Sequence, residues 1–284
     1  MMTNIDFSVQ IKKLKSERTR AVNFAESIIK PDFIDLGLFE SHIIHSKKNG
    51  LLHENGLGEK LYTSEPFNIG GDVLFEALVW SSIHQFCFWH DPKNQKLRGP
   101  LTSGTVHDFV FAGSPDAIPE LSISLRKERF YINQVLSGFD YNFGISTALN
   151  KLMHLDIFNF DFFKKKKNLL FMQLIRYRED LGIPDNKLME FDKYINPAID
   201  YQIPKMLRDL NIIRYPYYID ELIRTGTLIE KDSHEELFIR SVTYLALIKI
   251  QEKYGYSQNQ LDWLFWSTRN TSTSNHHCTL TEDY

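Results

Sequence analysis

Residues 72–89 read Asp-Val-Leu-Phe-Glu-Ala-Leu-Val-Trp-Ser-Ser-Ile-His-Gln-Phe-Cys-Phe-Trp, and no other stretch limits the possible folds so strongly. The run is apolar nearly all round and is broken by His90-Asp-Pro. A helix with no polar face has to be buried, so other elements must surround it. The rest of the chain offers helical periodicity with few alternating strand patterns, and it contains no internal repeat. The expected fold is therefore mainly α, with at most a few short strands. A chain of 284 residues can bury a substantial core. We expect a single globular domain over 1–284, divisible into lobes of about 1–115 and 116–284 with a site between them.

Several helices can be placed. Val9, Ile11 and Leu14, then Val22, Phe24, Ala25 and Ile28, recur on one face of a helix over 8–30 that Pro31 ends. A shorter helix over 33–46 carries His42 and His45 one turn apart, and the Gly-, Asn- and Lys-rich residues 47–71 read as loop. Further helices fit 119–136 and 144–154. Four lysines, 164–167, lead into an apolar helix starting at Asn168. A lysine run of this kind is expected to be solvated, although a helix start is electrostatically the wrong end for cations and hints at an anion nearby. Residues 222–228 read as a short helix ending near Gly226. Ser233 with Glu236 forms a capping box for a long helix reaching about Lys253, with Phe238, Val242, Leu245 and Ile248 on its apolar face. A last helix, 259–268, holds Asp262, Trp263 and Trp266, and the tail from Thr271 reads as a polar loop.

Composition narrows the function classes. A net charge of −3 gives no global basic field for long duplex nucleic acid. The 21 Phe, 13 Tyr and 4 Trp supply core and, potentially, stacking surfaces for flat bases. Two cysteines make no disulfide framework. The N-terminus shows no secretory pattern and no apolar run reaches about 18 residues, so the expectation is a soluble cytoplasmic protein without membrane association. His276, His277 and Cys278 are adjacent, a poor geometry for one ion, and no metal is expected. There is no Gly-rich phosphate loop and no Gly-x-Ser-x-Gly elbow, and no cofactor is implied.

The remaining candidates are acids and aromatics. In Asn196-Pro-Ala-Ile-Asp-Tyr-Gln-Ile-Pro-Lys-Met-Leu, Asp200 stands just ahead of a helical pattern with Pro204 in its first turn. An acid there serves as a cap, as an electrostatic partner for a substrate that becomes cationic, or as both. Asp262 lies between structural and ligand-binding readings, as does the cluster of Gln85, Phe86, Phe88 and Trp89. Arg240 reads first as an internal ion-pair partner.

Five segments in order resemble one family. Gln85-Phe-Cys-Phe-Trp is similar to the Asn-Phe-Ser/Cys-Phe-Trp segment of the queuosine salvage family, the queuosine 5′-phosphate N-glycosylase/hydrolases. Ile199-Asp-Tyr-Gln-Ile-Pro-Lys-Met-Leu resembles its Ala-Asp-Tyr-Arg-Leu-Pro-Gln-x-Leu, and Glu236-Leu-Phe-Ile-Arg its Glu-Val-Glu-Ile-Arg. Leu261-Asp-Trp-Leu-Phe-Trp-Ser resembles Leu-Asp-Tyr-Tyr-Leu-Trp-Asp, and the tail from His276 resembles the family's His-Arg-x-Arg-x-x-Tyr-Tyr terminus.

The resemblance implies a helical fold related to helix-hairpin-helix DNA glycosylases. It also implies release of queuine from queuosine 5′-monophosphate, leaving ribose 5-phosphate. Asp200 matches the catalytic aspartate, as nucleophile or transition-state stabiliser. The implied substrate contacts are His42, Gln85, Phe88, Trp89, Lys165, Ile199, Tyr201, Asp262, Trp263, Trp266 and Ser267, with Lys165 at the 5′-phosphate. Gln85 stands where the family has Asn, Phe238 where it has Glu, Ser267 where it has Asp, and Gln173 where an acid is expected. The alternatives are a related 7-deazaguanine substrate, a DNA base-excision glycosylase using the lysines 164–167 on phosphates, or a non-catalytic queuine-binding protein. The expected partner is a small modified nucleotide rather than nucleic acid; oligomeric state is not legible.

Overall fold

The computed structural model describes residues 7–48, 71–84, 131–132, 134–141, 144–183, 185–268, 274–279 and 281. The described part is mainly helical, as expected. Its only extended pairings are two isolated bridges, Ile34 with Ile213 and Leu228 with Cys278. Gln85, Phe88 and Trp89 lie outside the described residues.

The first helix, α1, spans Ser8–Ile28 and buries Gln10, Leu14, Ala21 and Ala25 along one stripe. A short 3-10 turn, Pro31–Phe33, follows. Helix α2 spans Phe39–Lys48 and begins six residues later than its sequence pattern predicts. Residues before it are drawn into backbone pairing instead: Asp35 N–H donates to Ile212 O at 2.8 Å, and Arg214 N–H to Phe33 O at 2.9 Å. The predicted buried helix is α3, Gly71–His84, with Leu74, Phe75, Leu78, Val79 and Ile83 all inside. It packs against α5, Lys165–Arg176, which follows α4, Ile145–Leu152.

Every residue of α5 is buried, which corrects the expectation of a solvated lysine run. Lys165, Lys166 and Lys167 are 3%, 4% and 1% exposed. Tertiary carboxylates make this possible: Glu17 of α1 pairs with the Lys167 ammonium, and Asp200 and Asp262 act on Lys165. Asp161 caps the helix start, its Oδ1 accepting from Phe163 N–H at 3.0 Å and its Oδ2 from Lys165 N–H at 2.8 Å. The anion hinted at by the lysines is therefore supplied by the protein itself.

Helix α6, Asp185–Asp192, leads to α7, Gln202–Asp209, and to α8, Tyr217–Arg224. Helix α8 starts earlier than predicted because Pro216 occupies its N-cap. The long α9, His234–Tyr254, ends at Gly255, whose φ of 76° is the left-handed geometry that glycine tolerates best. Ser233 Oγ accepts from Glu236 N–H at 3.3 Å, but the reciprocal half of the predicted capping box is absent. Ser233 N–H donates to Glu230 O, and the Glu236 carboxylate goes to Arg240. Phe238, Val242, Leu245 and Ile248 are buried as predicted, and so are Arg240, Ser241 and Thr243 from other sides, so α9 is a central rather than a one-faced helix. It packs on α1, on α7 and on α10, Gln258–Thr268. Among the described residues no helix is long and apolar enough to cross a membrane.

The buried apolar residues form two clusters. One joins the N-terminal half of α1 to α3, α4, α5 and α6; the other joins the C-terminal half of α1 to α2, α7, α8, α9 and α10. The chain crosses between them at adjacent residues, Ala198 in the first and Ile199 in the second, immediately before Asp200. The tail is not the exposed polar loop its composition suggests. His276, His277 and Cys278 are buried, and Ile229 N–H donates to Cys278 O at 2.8 Å.

Candidate active site

Asp200 sits at the end of an extended segment that is tied down before it reaches α7. Arg18 of α1 donates to Asn196 Oδ1 at 2.9 Å and to Ile195 O at 2.8 Å, and Asn196 donates to Leu14 O at 3.2 Å. The Asp200 carboxylate then accepts Gln202 N–H at 2.8 Å and Ile203 N–H at 2.9 Å, both at Oδ1. Pro204, next in the helix, has no N–H to satisfy. Capping therefore uses one carboxylate oxygen and leaves Oδ2 out of the cap. Burial raises the pKa of Asp200; opposed to it, Lys165 and the two backbone donors favour the ionised form.

Around Asp200 lies a small recess of about 20 Å³, lined by Lys165, Leu169, Arg176, Ala198, Asp200, Asp262, Trp263 and Trp266. Leu169 and Ala198 belong to the first apolar cluster, so the recess opens along the seam where the chain crosses between the two. Lys165 comes from the first turn of α5, and burial pushes its ammonium down to about 8, with Asp200 the main opposing influence. Arg176 comes from the last turn of the same helix. Its Nη2 donates to Asp262 Oδ2 at 2.8 Å and its Nε to Asn259 Oδ1 at 2.8 Å. The Trp263 and Trp266 rings are near parallel, 27° apart with centroids 6.1 Å apart. Two cations thus face two carboxylates beside an indole wall. Among the described residues no group of three or more His, Cys, Asp or Glu side chains is placed to hold a metal ion.

Five predicted site residues meet here: Lys165, Asp200, Asp262, Trp263 and Trp266. Four others do not line the recess. His42 lies parallel to Phe265, with ring centroids 6.1 Å apart and planes 3° apart, and burial lowers its pKa. Ile199 is wholly buried in the second apolar cluster. Tyr201 turns toward the tail, its ring 4.6 Å from that of His276. Ser267 donates to Leu264 O of its own helix at 3.1 Å. Arg176 was missed from sequence, although positions 165, 169 and 176 fall on one helical face and only the two ends are polar.

The recess thus combines an acid-capped helix mouth, two buried cations and a pair of near-parallel indole rings. Comparison with known proteins makes this specific. The queuosine salvage protein family matches residues 183–282, the segment containing Asp200 and Asp262. A Dictyostelium discoideum protein named queuosine 5′-phosphate N-glycosylase/hydrolase is 30% identical over 255 residues, covering 86% of this chain and 71% of that protein. The chain belongs to the queuosine salvage protein family.

Proposed function

We propose that this protein is an N-glycosidase that hydrolyses the N-glycosidic bond of queuosine 5′-monophosphate, or of a closely related 7-deazaguanine nucleotide. Its products are queuine and ribose 5-phosphate. The observation that carries this reading is the Asp200 carboxylate, pinned by two backbone N–H groups in a recess shared with Lys165, Asp262 and two indoles. As the base departs, positive charge builds on the sugar ring. A carboxylate already fixed in place stabilises that charge without reorganising, and partial burial strengthens its field. Asp200 acts as nucleophile or as stabiliser of the charged sugar. Lys165, as ammonium, opposes the effect of burial and favours the ionised form of Asp200. Trp263 and Trp266 stack on the base, and Asp262 accepts its N–H groups. A volume of about 20 Å³ admits roughly one water molecule, so binding of a base requires the recess to widen.

Phe238 and Ser267, two of the substitutions that argued for a non-catalytic protein, do not line the recess. Phe238 packs edge-on against Phe33, 5.1 Å between centroids, inside the second cluster. Ser267 faces its own helix. The DNA-glycosylase alternative needed the lysines 164–167 on phosphates, but three of them are buried and Lys164 is bonded to Asn159 O. The test is incubation with queuosine 5′-monophosphate and detection of free queuine by mass spectrometry. Tight binding of queuine with no release from any 7-deazaguanine nucleotide would contradict the proposal.

A further inference from the structure

The guanidinium of Arg176 does more than neutralise a buried acid. We infer that Arg176 is the positioning residue for base recognition: it locks Asp262 through Oδ2 and so presents the other carboxylate oxygen to the N–H edge of a base lying on the indole wall. The inference rests on the function proposed above and adds a residue that neither the sequence motifs nor the family resemblance supplied.

Four contacts carry it. Arg176 Nη2 reaches Asp262 Oδ2 at 2.8 Å and Asn259 O at 3.4 Å, and Nε reaches Asn259 Oδ1 at 2.8 Å. The guanidinium carbon stands 5.8 Å from the centroid of Trp263. All these partners belong to α10, so one side chain from α5 sets the register of the helix that bears Asp262, Trp263 and Trp266. A guanidinium suits this because its donors are fixed in one plane and can serve an amide and a carboxylate at once; an ammonium cannot reproduce that fork. The Arg176 side chain is 1% exposed, whereas that of Asp262 is 15% exposed at the recess. Among the described residues Asp262 uses only Oδ2 in a hydrogen bond, which leaves Oδ1 for a ligand. Ion-pair geometry and recess geometry therefore coincide at one carboxylate.

The test compares wild type, Arg176→Gln, Arg176→Lys and Asn259→Ala by two readouts. The first is steady-state hydrolysis of queuosine 5′-monophosphate. The second is binding of free queuine, followed by quenching of indole fluorescence. Loss of a positioned base contact weakens ground-state and transition-state binding alike, so it raises KM with little change in kcat. Arg176→Gln should raise KM and the queuine dissociation constant by at least about tenfold, with kcat within about threefold. Arg176→Lys should recover less than half of that loss on a logarithmic scale. Asn259→Ala, which keeps the ion pair, should show a smaller rise of the same kind, about threefold. A KM and a queuine affinity within twofold of wild type in Arg176→Gln would overturn the inference, as would full rescue by lysine. If Arg176→Gln does not fold, unchanged queuine affinity in Asn259→Ala and Arg176→Lys overturns it. Wild type that binds queuine but turns over no nucleotide contradicts the glycosidase reading alone, because the binding arm still decides the role of Arg176. Wild type that binds no queuine overturns both.

Discussion

Arg176 and Arg240 are near copies of one another in chemistry and opposites in setting. Each donates to an aspartate oxygen at 2.8 Å, and each lies over an aromatic ring, Trp263 at 5.8 Å and Phe163 at 4.8 Å. Around Arg240 the groups are closed off: Asp161 accepts from two backbone N–H groups as well, Glu236 takes Nη1 at 3.3 Å, and both acids are at most 5% exposed. Burial works to raise the Asp161 carboxyl, yet Arg240 and the backbone donors outweigh it and hold it below the usual range. Around Arg176 the arrangement stays open, with Asp262 keeping one oxygen at the recess. The two pairs thus differ in one respect: the acid bound to Arg176 keeps an oxygen at a recess, whereas the acids bound to Arg240 are enclosed.

The largest expected effect lies on the closed side. Arg240→Met leaves Asp161 and Glu236 buried without their cation and should cost about 3–5 kcal/mol in urea unfolding. Queuine release per folded molecule should stay near wild type, and a large drop in turnover with intact stability would break the comparison. Arg176→Gln should cost less stability, about 1–3 kcal/mol, because Asp262 can take up water at the recess. Asp192 is a third buried acid, without an arginine bonded to it, and burial pushes its pKa up to about 6 from the ordinary 3.8. A raised carboxyl stabilises the fold below the unfolded pKa and loses that contribution as pH rises through the folded one. Asp192→Asn should accordingly stabilise the protein by about 1–3 kcal/mol at pH 8, with the gain fading toward pH 4. An equal effect at both pH values would show that folding does not raise the Asp192 carboxyl. The mildest effect is on pH dependence: Lys165 is charged below about 8 and neutral above it, so kcat/KM should fall on the alkaline side of that value. Lys165→Arg, which stays charged, should remove that limb, and an unchanged profile would exclude Lys165 as its source.

Local patterning made much of the fold legible. Helices α1, α3, α9 and α10 follow from apolar spacing, from Pro31 and from the Ser233 cap, all signals carried within a few residues. What sequence reading missed is tertiary. The lysines of α5 look solvated until Glu17 and Asp200 are brought to them from about 150 and 35 residues away in the chain. His276 and Cys278 look like tail until Tyr201 and Ile229 meet them. At the site, Asp200, Lys165, Asp262, Trp263 and Trp266 were legible through motif resemblance. Arg176 was not, because its partner stands 86 residues later, and nothing local distinguishes it from a helix-terminal arginine that complements the dipole. His42, Tyr201 and Ser267 sit near recess residues in space or in sequence, and proximity alone did not decide which way each side chain turns.

The central claim is that Asp200 does chemistry as well as capping α7. Asp200→Asn separates the two, because an asparagine oxygen can still accept Gln202 N–H and Ile203 N–H while the negative charge is gone. The measurement is the rate of queuine release from queuosine 5′-monophosphate by this variant, with urea unfolding as a control for the fold. The expected result is a fall in kcat of at least about a hundredfold with stability changed by less than about 1 kcal/mol. A variant that keeps half or more of the wild-type rate would leave Asp200 as a helix cap and contradict the account.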